Sequence, residues 1–201
     1  HGDALVSGLV NGAIDGVRAG GVDFNDVGKK AALWQEMVEK PRAVSATGEL
    51  KIDAPSGTLA ICTPRSESVT LPAGNLSSGG VLSVKDVSTH ATIAALSLDG
   101  KKLAESRSIL LLHLTDISNS DATFFDSDCR FVNSQGKLPL LVRRGSAEVT
   151  LKVAPGAPLQ VQALSADGDV LGELPVSGNT FPIATDRFPG GVLAWHVTRQ
   201  E

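Results

Sequence analysis

The 201-residue chain carries 18 Lys and Arg against 22 Asp and Glu, a formal net charge of −4, and 42% of its residues are apolar. That balance describes a globular polypeptide rather than a disordered one. It offers no basic run to hold nucleic acid and no apolar stretch of roughly 18 residues to span a membrane.

From the N-terminus, residues 1–45 read as a helical lead-in or linker and residues 46–201 as a β domain, with Pro41 stopping the last helix. Asp3 caps a first helix through Leu5, Leu9, Val10, Ile14 and Val17. Gly8, Gly12, Gly16 and Gly20 lie on one stripe of it, as close packing against another backbone would require. Gly20-Gly21 ends that segment, and Val27, Ala31, Trp34, Met37 and Val38 follow a second helical period. The chain opens on His1 with no visible signal peptide, so it reads as a piece cut from something longer.

Beyond Pro41 the pattern changes to short runs rich in Val, Ile and Thr, separated by Gly, Pro, Asn and Asp. Strands are expected at 49–53, 58–63, 66–71, 80–87, 91–97, 106–115, 122–125, 129–132, 140–143, 147–153, 158–164, 170–176, 180–183 and 191–198. Asp99-Gly100, Arg144-Gly145 and Asp167-Gly168 supply turns, and the last of these closes a hairpin between Leu159–Val161 and Val170–Leu174. Ile109–Leu112 is continuously apolar and reads as a central strand covered on both faces. Short strands with frequent turns and no crossover helix predict a mainly β fold, an antiparallel, jelly-roll-like β-sandwich preceded by a short α-helical segment.

Few residues gather into recognisable chemistry. Cys62 and Cys129 match no metal spacing and read as buried free thiols, with a mutual disulfide as the alternative. His90, His113 and His196 lack a Gly-x-Ser-x-Gly elbow that would make one of them a catalytic base. His113 reads as structural, and His196 points outward if Trp195 points inward. Asp116, Asn119, Asp121, Asp126 and Asp128 crowd one loop. Most simply that loop is a solvated acidic one. Its oxygens make Asp116, Asp121, Asp126 and Asp128 a candidate site for a structural Ca²⁺, and no other cofactor is expected.

A resemblance joins several of these segments. Glu49-Leu50-Lys51-Ile52-Asp53, then Ile61-Cys62-Thr63-Pro64-Arg65, then the stretch from Ile93 through Leu98-Asp99-Gly100-Lys101-Lys102-Leu103-Ala104-Glu105-Ser106 to Leu111, then Thr115–Asn119, Gly136–Val142 and Gln162–Gly168 follow one another in order. Together they resemble C-terminal β-sandwich accessory modules of bacterial glycoside hydrolases that carry a barrel catalytic domain. The resemblance covers residues 47 to about 198. It departs where Gln135 stands before Gly136-Lys137, a place where the group usually has an aromatic.

What the resemblance implies is a non-catalytic, secreted or periplasmic module that packs on and stabilises an upstream catalytic domain or chain. The alternative is a carbohydrate-binding module that holds a polysaccharide near the attached enzyme, and a further alternative is an adhesion or protein-interaction domain. A sugar would call on Trp195 as a stacking face with Asn119, Asp121 and Arg130 as hydrogen-bonding partners.

Overall fold

The computed structural model of the chain describes residues 42–199, apart from 128, 130 and 157. The helical lead-in expected over residues 1–40, including Trp34, lies outside the described residues. Two compact units divide the chain, His1–Leu59 and Ala60–Glu201. Within the first, strand β1 (Arg42–Val44) pairs antiparallel with β2 (Leu50–Asp53). The turn between them is closed by Ser45, whose carbonyl accepts the Gly48 N–H and whose N–H donates to the Leu50 carbonyl. β3 (Thr58–Cys62) leads into the second unit.

The second unit is built from antiparallel sheets, and no helix occurs among its described residues. Its larger sheet runs in the spatial order β4 (Ser66–Leu71), β7 (Ala91–Ser97), β8 (Ser108–Leu114), β17 (Ala194–Arg199), β14 (Leu159–Leu164) and β15 (Val170–Leu174). A smaller sheet has the order β16 (Thr180–Ala184), β13 (Ser146–Leu151), β6 (Leu82–Lys85) and β5 (Ser77–Ser78). The strands of both sheets alternate between buried and partly exposed residues, as in β4, β8, β13 and β14. This is the two-residue period of a sheet with one side in a core. Val69, Ile93, Leu111, Val161 and Trp195 of the larger sheet share one buried cluster with Val84, Val149, Phe181 and Ile183 of the smaller.

A carboxylate ties the two sheets at one corner. Glu67 of β4 is buried, and it accepts the Val81 N–H at 2.9 Å and the Leu82 N–H at 2.7 Å, at the start of β6. Gly79 and Gly80 permit the approach, since a Cβ on Gly80 would stand 2.6 Å from Glu67 Oε1.

Between β8 and β13 the chain leaves both sheets. β9 (Ile117–Ser120) pairs with β12 (Lys137–Val142), and β10 (Thr123–Phe124) pairs with β11 (Val132–Ser134). The family resemblance puts Thr115–Asn119 at the place of a loop, and the sequence pattern puts a strand over 129–132. A strand, β9, begins within the first at Ile117, and the second shifts to Val132–Ser134. The ribbon β9–β12 adds little to the core, so burial alternation, the signal that locates the other strands, is missing from it.

Candidate functional site

Trp195 is fully buried in β17, with the His113 ring 6.0 Å from its own. The alternation of β17 turns it inward with Val197, and its indole presents no face on which a sugar could stack. His113 is equally buried in β8. Neither its ring nitrogens nor Trp195 Nε1 meets a hydrogen-bond partner among the described residues. Desolvation therefore lowers the His113 pKa to about 4. His196 faces the other side of the sheet, where Nε2 lies 2.8 Å from Ser108 Oγ.

The remaining candidates lie in the β9–β12 excursion and are engaged with its own backbone and charges. Asn119 Nδ2 donates to the Gln135 carbonyl at 2.8 Å. Asp121 pairs with Lys137 at 2.9 Å, and Asp116 with Arg143 at 2.8 Å. Asp126 is half-buried and its carbonyl accepts the Cys129 N–H. Arg130 and Asp128 lie outside the described residues. No three His, Cys, Asp or Glu come together as ligands for a metal ion among the described residues. Both cysteines are free thiols, but Cys62 is half-buried and Cys129 exposed in the turn between β10 and β11, where burial was expected for both.

Two surfaces emerge that the sequence motifs did not single out. The first is the excursion itself. Phe125, Phe131 and Leu138 are 75%, 65% and 77% exposed, and Ile117, Leu140 and Leu141 are exposed as well. Leu140 and Leu141 are adjacent in β12 and point to opposite sides, so both faces of the ribbon are apolar. A run such as Leu138-Pro139-Leu140-Leu141-Val142 is the available signal in the sequence, though it reads equally well as a buried strand.

The second surface is the outward side of the larger sheet. The two sides of Ile109–Leu112 differ: Ile109 and Leu111 enter the core, while Leu110 and Leu112 face away from it and stay partly exposed. Register places Ala94 and Ala194 on either side of Leu112, and Leu96 and His196 on either side of Leu110. The polar groups around this aliphatic band bond to one another. Thr70 and Thr92 hydroxyls lie 2.8 Å apart, Ser108 meets His196, and the Gln160 and Gln162 amides donate to Glu173.

Comparison with protein-family models, curated proteins and solved structures finds no match to this chain.

Proposed function

We propose that the chain is a non-catalytic accessory module of a secreted carbohydrate-active enzyme, a β-sandwich that packs on the catalytic domain and stabilises it. One observation carries the docking: the excursion from Asp116 to Arg143 projects exposed Phe and Leu side chains while Asp116 and Asp121 are neutralised within it by Arg143 and Lys137. Such an exposed apolar surface suits a protein partner that presents an apolar face of its own. The sandwich reading is supported by the common core of the two sheets and by the Glu67 clamp at their corner. The carbohydrate-active context rests on the resemblance of residues 47 to about 198 to glycoside hydrolase modules.

The test joins the chain to its catalytic domain and follows that domain's thermal inactivation. Phe131→Ser with Leu138→Ser is expected to lower the catalytic domain's inactivation temperature and to leave the melting of the isolated module in place. Hydrolytic turnover by this chain alone would overturn the reading. Retention of the isolated chain on a polysaccharide affinity gel, lost in Phe125→Ser, would replace it with the carbohydrate-binding alternative.

A further inference from the structure

We infer that His113 is an acid-sensitive latch at the root of the 116–143 excursion: a proton taken from solvent onto its ring opens the root and frees the ribbon while the two sheets stay folded. The latch is a property of this chain, and only its consequence, release of a docked catalytic domain in acid, rests on the docking reading above. His113 is the last core-facing residue of β8, on the same side as Ile109 and Leu111. Two residues on, the chain leaves the sheet through Thr115-Asp116, and it returns through Arg143-Arg144-Gly145. Both stems of the excursion therefore meet at the end of the core that His113 occupies.

The stems are tied together beside the ring by a short seam of hydrogen bonds. The Arg143 N–H donates to the Asp116 carbonyl at 2.9 Å, and the Thr115 hydroxyl donates to the Arg143 carbonyl at 2.8 Å. The Thr185 hydroxyl, itself buried, donates to that same carbonyl at 3.0 Å and accepts the Gly145 N–H at 2.9 Å. Gly145 closes the seam against the ring. A Cβ there would stand 2.7 Å from Thr115 Cγ2, 2.9 Å from Thr89 Cγ2 and 3.5 Å from His113 Cε1. These are few contacts beside the interlocked core of the two sheets, so opening the seam costs less than unfolding the unit.

The closed site holds no partner for an imidazolium among the described residues. Neither ring nitrogen is hydrogen-bonded there, and the neighbouring Trp195 offers only a second N–H donor. The charged and titratable residues on the surrounding elements are His90, Asp116, Arg143, Arg144, Asp186 and Arg187, and all are exposed. Asp116 pairs with Arg143 and Asp186 with Arg144. Burial is the cause of the lowered pKa of the ring, and no neighbouring charge contributes. His196 lies on the other side of the sheet, against Ser108. A hydrated ring protonates near pH 6.5 and the sealed one only near pH 4, so acid between those values favours the open root.

Hydrogen exchange of the full chain at graded pH and low urea, corrected for intrinsic rates, tests this. The Arg143 amide and the amides paired between β9 and β12 are expected to exchange at least about tenfold faster at about pH 4.5 than at about pH 7.5. That opening should respond little to urea, while Ile93 and Val161 of the larger sheet exchange more slowly and with the full urea slope of unfolding. His113→Leu is expected to remove the acid acceleration from the excursion. Should that variant fail to fold, the pH series of the unaltered chain decides, since the acceleration must set in near pH 6.5 and level off near pH 4. An acceleration that is absent, that carries the urea slope of whole-chain unfolding, that departs from this pH range or that survives in folded His113→Leu overturns the latch. The docking reading fails separately, if Phe131→Ser with Leu138→Ser leaves the joined catalytic domain's inactivation temperature unchanged at neutral pH.

Discussion

His113 shows how one buried ring sets a pH limit on the fold. Its folded pKa of about 4 lies below the ordinary value of 6.5 because burial disfavours the imidazolium. The unfolded chain therefore binds the proton more readily. The neutral ring's stabilisation is complete above about pH 6.5 and is lost as pH falls toward 4, by on the order of 3 kcal/mol. Urea unfolding at pH 7.5, 5.5 and 4.5 is expected to show that decline, and His113→Leu is expected to flatten it. Glu67 is the other buried ionisable residue on which the structure leans. Its oxygens accept the backbone N–H groups of Val81 and Leu82, and an amide in its place turns a donor toward one of them. Glu67→Gln should cost about 1–3 kcal/mol in chemical denaturation.

At the scale of elements, glycine and carboxylate positions shape the irregular parts. Asp99 holds the loop between β7 and β8. It accepts the Arg107 and Lys101 N–H groups and the Ser97 and Ser106 hydroxyls, and these bonds, the Arg107 N–H first, hold its carboxyl well below the usual range. Gly136 turns the chain from β11 into β12 at a φ of +69°, and a Cβ there would overlap the Ser120 carbonyl and the Ala122 nitrogen. Gly136→Ala is expected to destabilise by about 2–4 kcal/mol, through both the left-handed backbone and that overlap. Protease sensitivity of the 116–143 segment should rise with it. The strands at 66–71 and 91–97 were legible to the residue: Ser66, Ser68 and Thr70 stand on one parity with Val69 and Leu71 on the other, and 91–97 is a short apolar run that stops before Asp99-Gly100. The ribbon was not, since Leu138–Val142 looks like core when it is exposed.

For the molecule as a whole, the mainly β, antiparallel character was legible and the exposed apolar surface of the excursion was not. Periodicity and turn chemistry predict antiparallel β structure, and the core shared by two sheets carries that pattern. Trp195 shows the boundary of such reading: its type suits either a ligand platform or a core plug, and parity within β17 decides for the core. Leu110 and Leu112 show the converse. An unbroken apolar run leaves the two sides of β8 indistinguishable, and only the fold tells which side, that of Ile109 and Leu111, enters the core.

Strand order carries a consequence for biosynthesis. β17, the last described strand, lies between β8 and β14 in the middle of the larger sheet. Until it emerges from the ribosome, β8 and β14 each present an open edge, and the nascent chain carries two templates for unwanted pairing. Native structure in this unit is therefore expected only after synthesis has passed Arg199. A polypeptide stopped at Leu193 should stay protease-sensitive and aggregate, whereas one extending through Arg199, whose guanidinium reaches the Ser106 and Ala154 carbonyls, should become resistant. Protease digestion of stalled translation products of graded length would expose that threshold.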